Sequence, residues 1–566
     1  MPTVTINDRA VEVAAGTNLI EAGQKVGVQI PHYCYHPRLS VVGQCRMCLV
    51  EIEVGGKKMP KLQTACSTQV ERDGMVVRTG TPEVAEAVKG MMEFLLINHP
   101  LDCPICDQAG ECGLQDYSFK HGMAFSRFQF EDKRTYPGRE RIPLGANVLL
   151  NMNRCIQCTR CVRFTEEIAK TGELGFFNRG ARTEIGTFPG KPLDNPLATC
   201  VVDVCPVGAL TSTRFRFAER VFYLDKKPSL CTGCDIGCNI TIEHRKGDIK
   251  RYKPRYNPEV NDYWMCDYGR STHERYKAVP RLLTPRIKGG DGASAAVSWK
   301  EALDLAYRRL RGLGEEGPVA FLGSGFLTCE EAFLFAQLAD RVGTPHRAVP
   351  VDLGTRWTIP NLQGGISGEE AAPNRRGTEL AGLAASSAAT GTDALGAAEM
   401  LTGDGAAGCA VLVVCDSDFG RAAWDPETVA RLRRAGFLLV FGWADSPLAQ
   451  AADLALPLAH HAEKDGTFVN VEWRLQRFLA AYPAPGQMRS GVEVLTDLLG
   501  RFDSAWSRLD TAAVFDRLAA AVPAFAGLSW RHLPATGVEL AVSQTSQAPP
   551  TPPGGGHPLT AEQISG

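Results

Sequence analysis

Hydrophobic and polar positions alternate near the start of the chain with the period of two that is typical of β-strands. Residues 4–6 and 11–13 fit this pattern on either side of the turn-forming pair Asn7-Asp8, and Thr17 is placed to cap a helix over residues 19–26. Further strands are predicted over residues 50–54, 57–63 and 75–78. These elements predict a compact α+β domain over residues 1–80.

Helical spacing replaces the alternation over residues 82–97, where Val84, Val88 and Met92 share one face. We expect this helix to end before His99-Pro100, because proline disfavours helical backbone in the residue that precedes it. The pattern then predicts a segment with a ligand loop, an irregular connector and a second compact domain, over residues 81–120, 121–145 and 146–212.

Strand and helix alternate regularly from residue 281 onward. Strands are predicted over residues 319–322, 410–415 and 437–441, and helices over residues 330–342 and 426–435. This alternation is typical of a doubly wound α/β domain, which we place at residues 281–543. The tail over residues 544–566 is rich in proline and glycine and is expected to be disordered.

Composition and charge narrow the classes of function. The 61 basic and 63 acidic residues give a formal net charge of -2, so nucleic acid is not expected as the partner. No apolar stretch approaches the roughly 20 residues that cross a bilayer, and the first residues have no features of a signal or transit peptide. We therefore expect a cytoplasmic chain.

The 19 cysteines are the main chemical signal, since 16 of them precede residue 270. In a reducing cytoplasm, grouped thiols indicate metal ligands rather than disulfides. The first group lies within the N-terminal domain and consists of Cys34, Cys45, Cys48 and Cys66. Such thiolates suit iron and sulfide, with four structural zinc ligands as the alternative, and Gly43 is expected to let the loop backbone approach the sulfurs.

The second group combines one imidazole with three thiols: His99, Cys103, Cys106 and Cys112. Three thiolates leave one corner of a cubane cluster open, and a neutral imidazole can fill it and reduce the negative charge of the site. A lone histidine beside a proline is more often a helix-end residue, but the three cysteines at this spacing favour a ligand.

The third group is a three-cysteine run completed by a cysteine before proline: Cys155, Cys158, Cys161 and Cys205. A distant cysteine-proline is the expected partner of such a run, so one 4Fe-4S cluster fits and two do not. Cys200 is interpreted as a buried apolar thiol. The fourth group is Cys231, Cys234, Cys238 and Cys266. Taken alone this spacing also suits a zinc ribbon, and the three neighbouring groups favour iron and sulfide.

In this order the four groups resemble the family of cluster-rich iron-sulfur subunits of bacterial NADH-quinone oxidoreductase, respiratory complex I, over about residues 1–280. The resemblance implies a multidomain α+β and α/β chain. Its units would be a 2Fe-2S β-grasp ferredoxin domain, a 4Fe-4S segment in which His99 joins three cysteine ligands, a 4Fe-4S ferredoxin-like domain and, over residues 224–280, a molybdopterin-oxidoreductase-type 4Fe-4S domain. The implied cofactors are one 2Fe-2S and three 4Fe-4S clusters.

That family passes electrons from NADH, through FMN on a partner subunit, toward quinone. The resemblance implies that this chain accepts electrons at the Cys34 group and passes them through the Cys155 and His99 groups, with no catalytic residue of its own. The Cys231 group would lie off the main path. Expected partners are the other complex I subunits, including the NADH- and FMN-binding subunit and the downstream iron-sulfur subunits. The chain would then lie in the peripheral arm at the cytoplasmic face, in contact with the membrane only through the complex.

Residues 281–543 resemble a shortened, degenerate molybdopterin-oxidoreductase α/β domain, chiefly in the segment 463–472. No cysteine or histidine is evidently placed to bind molybdenum, and Arg270 stands where formate dehydrogenases usually carry a lysine. We therefore predict a scaffold without molybdenum. Cys329, Cys409 and Cys415 are interpreted as core residues.

Two other functions stay open at this point. An electron-transfer subunit of an NAD-linked hydrogenase or formate dehydrogenase shares the first modules, although such chains commonly carry a second ferredoxin cluster or an active-site cluster domain. A zinc-stabilised binding protein uses Cys-x2-Cys pairs as well. Metal content separates these classes, since the four clusters together hold about 14 iron atoms.

Overall fold

The computed structural model describes residues 1–129, 131–311, 317–350, 358–360, 365–383, 405–416 and 425–541. Within these ranges the chain is mixed α/β, with a six-stranded sheet at the N-terminus, a seven-stranded sheet after residue 280, and several sheets of two or three strands. Across the described ranges, every helix is too short or too polar to span a bilayer. The tail predicted to be disordered lies outside the described residues.

The N-terminal unit is a mixed sheet with one short helix. Its elements are β1 (Thr3–Ile6), β2 (Arg9–Glu12), β3 (Thr17–Asn18), α1 (Leu19–Lys25), β4 (Leu49–Val54), β5 (Lys57–Lys58), β6 (Gln63–Thr64), β7 (Gln69–Val70) and β8 (Met75–Arg78). The sheet order is β2-β1-β8-β4-β5, in which β1 and β8 run parallel, and β6 also pairs with β4. Alternate residues of these strands, among them Val4, Ile6 and Val77, fill the core.

Two details of this unit differ from the prediction. Asn18 rather than Thr17 caps α1, since the Asn18 side chain accepts a hydrogen bond from the Glu21 N–H (3.1 Å) while Thr17 pairs with Val70 in β3 and β7. The strand expected over residues 57–63 is interrupted, and only its ends pair with β4. Pro60 lies in the interruption and has no N–H to donate to a sheet.

The next two units carry little regular structure. Helix α2 (Pro82–Leu96) is capped by Thr81 and ends before His99-Pro100, as the sequence predicts. Described residues between 122 and 141 form neither helix nor strand, whereas the predicted connector over 121–145 also includes the end of a helix at His121 and the strand Ile142–Pro143. The remaining elements are α3 (Gly113–His121), β9 (Ile142–Pro143), β10 (Val148–Leu150), α4 (Arg160–Arg163), β11 (Leu174–Phe177), β12 (Glu184–Thr187), α5 (Cys200–Val204) and β13 (Leu210–Ser212).

A three-stranded antiparallel sheet and one helix follow. They are β14 (Asp225–Leu230), β15 (Asn239–Arg245), β16 (Asp248–Pro254) and α6 (Asp267–Ala278). The turn between β14 and β15 carries three cysteines, and α6 begins directly after Cys266. This unit therefore brings the distant cysteine back to the close group.

The region from residue 281 is built on a seven-stranded sheet of order β18-β17-β25-β24-β23-β19-β20. Five of the strands, β25 to β20 in that order, are parallel. The strands are β17 (Arg286–Lys288), β18 (Ser294–Ala296), β19 (Val319–Leu322), β20 (Arg347–Ala348), β21 (Thr358–Ile359), β22 (Ile366–Ser367), β23 (Val411–Asp416), β24 (Phe437–Gly442), β25 (Leu454–Pro457), β26 (Gly466–Val469), β27 (Arg474–Phe478) and β28 (Val538–Glu539). The helices are α7 (Trp299–Arg311), α8 (Cys329–Val342), α9 (Arg375–Thr378), α10 (Pro426–Leu432), α11 (Pro447–Ala451), α12 (Gly491–Leu499) and α13 (Thr511–Ala521).

The parallel strands have the spatial order 2-1-3-4-5 in chain sequence, which is a doubly wound arrangement. The α/β prediction is confirmed for this region, where the strands expected over residues 319–322, 410–415 and 437–441 are β19, β23 and β24. Helix α8 carries a capping box formed by Thr328 and Glu331. Helix α10 ends at Leu432, three residues before the expected end.

Candidate functional site

The first cysteine group gathers on two loops and a strand end of the N-terminal unit. Cys34, Cys48 and Cys66 are each 1% exposed, and Cys45 is partly buried. The thiol of Cys34 interacts with those of Cys45 and Cys66, and the thiol of Cys48 with that of Cys66. Hydrogen bonds from Cys45 and Cys66 lower the pKa of Cys34 below its ordinary value. All four predicted residues therefore meet at one place.

Gly43 does not have the role expected for it. A Cβ placed on Gly43 would meet nothing within 4 Å, so this glycine does not allow a close approach of the backbone to the sulfurs. Its φ of 60° lies in the left-handed region, where residues with a side chain are strained. The left-handed backbone conformation, rather than a lack of space for a side chain, explains why this position is glycine.

The second group is brought together in part. Cys106 and Cys112 are buried, Cys103 is exposed, and the charges of the other thiols act on Cys112. Burial, together with the positive charges of Arg154 and Lys133, lowers the pKa of His99 to about 4. The imidazole is therefore neutral at pH 7. Among the described residues, the charged groups that act on His99 include Asp102 but none of the three thiols.

A glycine of the following unit lies against the second group. A Cβ on Gly208 would lie 2.2 Å from the Cys106 sulfur, so only glycine fits there. The Gly113 N–H also donates to the Pro206 carbonyl (3.2 Å). The segment after Cys205 thus packs on the second group, which the sequence spacing did not reveal.

The third group lines a single internal cavity of about 20 Å³. Its walls are otherwise apolar, and the four thiols are those predicted: Cys155, Cys158, Cys161 and Cys205. The Gln157 N–H donates to the Cys155 sulfur (3.3 Å). Gln157 and Thr159 have φ values of 54° and 65°, so the loop between the cysteines is held in a strained, turned conformation.

Burial raises the pKa of every thiol in this cavity, that of Cys205 to about 12. A thiolate here needs a compensating positive centre, because an isolated buried charge is costly. Iron supplies such a centre, and the donor set of four thiols suits it. The residues of the third group therefore fit an iron-sulfur cluster.

The fourth group is fully buried at the junction of the β14–β15 turn and α6: Cys231, Cys234, Cys238 and Cys266. The Gly233 N–H donates to the Cys231 sulfur (3.4 Å) and the Gly269 N–H to the Cys266 sulfur (3.3 Å). A Cβ on Gly269 would lie 2.9 Å from the Cys231 sulfur and 3.5 Å from the Cys266 sulfur. Gly269 thus lets the start of α6 approach two thiols, a role that sequence reasoning missed.

Three arginines connect the groups, and two of them, Arg154 and Arg163, are buried. Arg154 pairs with Asp102 (2.6 Å) and links the second group to the third. Arg163 donates to the carbonyls of Cys34 (2.5 Å) and Cys158 (3.3 Å), and so joins the first group to the third. Arg160 donates to the Val204 and Tyr35 carbonyls. Their sequence signal is that each stands within two residues of a cysteine in the third group.

Trp264 lies at a further junction. Its ring stacks on His36 with centroids 5.6 Å apart, and it packs against Phe164 at 5.0 Å. His36 follows Cys34 by two residues, Phe164 follows Cys161 by three, and Trp264 precedes Cys266 by two. One buried indole therefore contacts the surroundings of three cysteine groups.

The four remaining cysteines are buried as expected, and Cys200, which lies in the hydrophobic core of the first half, also has two polar contacts. Its sulfur lies 3.2 Å from the Met265 carbonyl and 3.6 Å from the Arg270 guanidinium. Cys329, Cys409 and Cys415 are at most 3% exposed within the hydrophobic cores of the C-terminal region. Across the described residues, no three histidine, cysteine, aspartate or glutamate side chains are spaced to hold a single metal ion.

At the switch point of the large sheet, two glycines after β19 lie close to other segments of the chain. In doubly wound sheets, ligands bind at the carboxyl ends of the strands where the order reverses, here between β19 and β23. A Cβ on Gly325 would lie 2.6 Å from Ala372, and one on Gly323 would lie 2.9 Å from Leu383. The segment after β19 is therefore closely packed at both glycines.

Five family models match successive parts of the chain. They are a 2Fe-2S iron-sulfur cluster binding domain (residues 1–82), the NADH-ubiquinone oxidoreductase-G iron-sulfur binding region (89–127), the ferredoxin-like domain of NADH-quinone oxidoreductase subunit 3 (145–211), the molybdopterin oxidoreductase Fe4S4 domain (224–277) and molybdopterin oxidoreductase (281–356 and 383–501). The chain therefore contains 2Fe-2S and 4Fe-4S binding domains.

Relatives with similar sequences belong to one kind of complex. The G subunit of NADH-quinone oxidoreductase from Streptomyces coelicolor is 40% identical over 339 residues, which are 60% of this chain and 39% of that protein. The corresponding G subunit from Mycobacterium bovis is 42% identical over 60% of this chain and 41% of its own length. The mitochondrial NADH-ubiquinone oxidoreductase 78 kDa subunit of Neurospora crassa is 41% identical over 62% of this chain and 46% of its own length. The alignments thus span less than half of each of these relatives.

A solved structure of an NAD+-reducing [NiFe]-hydrogenase in the H2-reduced state is similar to part of the chain. It is 29% identical and covers 39% of this chain and 91% of its own, with a TM-score of 0.33.

Proposed function

We propose that this chain conducts electrons within an NADH-quinone oxidoreductase, since about 60% of its length is similar to the G subunit of such a complex. Electrons from NADH would reach it by way of FMN on a partner subunit and would leave it toward quinone. The observation that carries this proposal is the gathering of fifteen cysteine thiols into four buried or partly buried groups beside four successive iron-sulfur family matches.

We assign one cluster to each group. The 2Fe-2S ligands are Cys34, Cys45, Cys48 and Cys66. The ligands of the three 4Fe-4S clusters are His99, Cys103, Cys106 and Cys112; Cys155, Cys158, Cys161 and Cys205; and Cys231, Cys234, Cys238 and Cys266. The corresponding domains span residues 1–80, 81–120, 146–212 and 224–280, with a connector over 121–145, and the domain over 281–543 serves as a scaffold.

Iron-sulfur clusters supply reversible one-electron transfer when bound. The chain's own residues set the conditions for that transfer. Backbone N–H groups of Gln157, Gly233 and Gly269 donate to cysteine sulfurs, and such hydrogen bonds favour the reduced state. The buried charges of Arg154 and Arg163 offset the negative charge of the thiolates, and the apolar walls around Cys155 exclude water.

Partners and location follow from the same proposal. The chain would bind the NADH- and FMN-binding subunit and the downstream iron-sulfur subunits in the peripheral arm, at the cytoplasmic face of the membrane. We further propose that the C-terminal domain carries no molybdenum. Stoichiometric metal-bound pterin in the purified chain would contradict that part of the proposal.

Metal analysis and redox-monitored EPR test the proposal. The anaerobically purified full chain should contain about 14 iron atoms and give signals of one 2Fe-2S and three 4Fe-4S clusters as the potential is stepped down. A zinc-stabilised binding protein would be colourless and hold zinc in place of iron. Zinc-loaded chain that takes up no iron on reconstitution with iron and sulfide would end the proposal.

A further inference from the structure

We propose that the C-terminal α/β region acts as a clamp that orients the loop of the fourth cysteine group, with Gln476 as its central positioning residue. The clamp is defined as Gln476, Asn470 and the backbone of residues 369–370. This inference rests on the fourth cluster of the proposed function. It assigns a role to the region that follows residue 281.

Gln476 of β27 reaches the loop directly. Its Nε2 donates to the Gly237 carbonyl (2.9 Å), and its Oε1 accepts from the Asn239 side chain (2.5 Å). Gly237 has φ of 70°, and a Cβ on it would lie 2.6 Å from the Gln476 Nε2. The position of Gln476 therefore leaves no room for a side chain at Gly237.

Asn470 holds the neighbouring peptide. Its Nδ2 donates to the Ile236 carbonyl (3.1 Å), while its Oδ1 accepts from the Arg474 N–H (2.8 Å) in the turn before β27. The Val471 N–H donates to the Asp235 carbonyl (2.8 Å). All three carbonyls between Cys234 and Cys238 thus receive a hydrogen bond from the C-terminal region.

A third contact comes from the segment before α9. The carboxylate of Asp235 accepts from the N–H groups of Glu369 (3.0 Å) and Glu370 (3.2 Å), and the Asp235 N–H donates to the Glu370 carbonyl (3.1 Å). Asp235 is 5% exposed, Asn470 1% and Gln476 2%. Amides buried to this extent are costly unless paired, so their placement against the loop is specific.

Holding the carbonyls decides where the loop N–H groups point. In a trans peptide the N–H points away from the carbonyl. A peptide whose carbonyl faces the C-terminal region therefore presents its N–H to the opposite side, where the thiols lie. The N–H of Ile236, in the peptide of the held Asp235 carbonyl, interacts with the Cys234 thiol, and the N–H of Cys238, in the peptide of the held Gly237 carbonyl, interacts with the Cys238 thiol. Hydrogen bonds to sulfur tune the potential of a cluster and keep its ligands in place. Loosening the clamp should therefore alter the fourth cluster and leave the others unchanged.

The test compares two glutamine variants of the full chain. Gln476→Met keeps the length and approximate volume of the side chain but removes both hydrogen bonds, and Gln450→Met, at an exposed position on α11, is the matched control. We expect Gln476→Met to lose at least half of the EPR signal of the fourth cluster, with up to about 4 iron atoms per chain. The other signals and the whole of the Gln450→Met spectrum should match the parent chain.

A parent chain that itself lacks the fourth signal and holds about 10 iron atoms would overturn the fourth site and the clamp together. A parent with the fourth signal and a Gln476→Met variant with the same amplitude, line shape and potential would overturn the clamp alone. If Gln476→Met does not fold, Asp235→Asn decides the question, since it halves the acceptor capacity on the other side of the loop. An unaltered fourth signal in that variant would equally overturn the clamp.

Discussion

Most cysteines are buried to a similar extent in the two halves of the chain, but the side chains around them differ. Before residue 280, all thiols except that of Cys200 lie in groups, and nine of the grouped thiols belong to one hydrophobic core that extends through all four groups. After residue 280, Cys329, Cys409 and Cys415 each lie among aliphatic and aromatic side chains. Burial alone therefore does not distinguish a ligand from a core residue, whereas grouping does.

The third unit and the C-terminal half also differ in the length of their helices and the size of their sheets. In the third unit, the four-residue helix α4 continues into a five-residue π-helical turn, α5 has five residues, and the sheets around them have two or three strands. The C-terminal half has a seven-stranded sheet and a 14-residue helix, α8. Small sheets and single-turn helices are marginal alone. We infer that the third unit, over residues 146–212, depends on its metal centre for stability and that the C-terminal half does not.

Removal of iron tests this comparison most strongly. In chain stripped of iron under reducing conditions, amides of residues 148–212 should exchange hydrogen on the order of 100-fold faster than in loaded chain, since metal binding and folding are coupled. Amides of β23 and β24 should keep their protection. Equal protection of both halves without iron would show that the cysteine-rich half folds on its apolar core alone.

A matched pair of cysteine variants gives the next largest effect. Cys161→Ala removes a ligand of the third cluster and should lower the iron content by about 4 atoms per chain. Cys329→Ala, at a position 0% exposed, should keep all iron and cost about 1–2 kcal/mol of unfolding free energy for the small cavity. Metal analysis and thermal unfolding of the two variants measure these outcomes. Iron loss from the Cys329 variant would remove the distinction between the halves.

Sequence reasoning predicted the elements that depend on local pattern. Helix α2 and strands β8 and β19 lie where the pattern of apolar residues along the chain placed them. The members of the third and fourth cysteine groups could likewise be assembled from spacing. Asn18 was missed as the cap of α1, since Asn18 and Thr17 are both residue types that favour this position.

Contacts between distant segments could not be predicted in this way. Arg163 reaches the Cys34 carbonyl across 129 positions of the chain, and Gln476 reaches the loop of the fourth group across 239. A buried arginine and a buried glutamine look like surface residues in a sequence, because nothing local shows which carbonyl they will meet. The roles of such residues can be identified only in the folded structure.

The imidazole of the second group offers a redox test. His99→Cys replaces a neutral ligand with a thiolate, and one added charge at roughly 5 Å and an effective dielectric constant of about 20 is worth about 3 kcal/mol. The midpoint potential of that cluster should fall by on the order of 100 mV. His346→Cys, in the C-terminal half, should change no potential. An unchanged potential in an assembled His99→Cys chain would mean that His99 is not a ligand.

The smallest effect is expected at a buried arginine. Arg163→Met removes a positive charge between the first and third groups, which disfavours the addition of an electron nearby, so both potentials should fall by some tens of mV, on the order of 1–2 kcal/mol. Arg501→Met removes a part-buried arginine that pairs with Asp304 (3.1 Å) in the C-terminal half, and should leave every potential unchanged. Redox-monitored EPR of the two variants decides the matter. Equal shifts of the midpoint potentials in the two variants would mean that the arginines act through overall stability. A fall confined to Arg163→Met would show that charge in the first half is arranged around its metal centres.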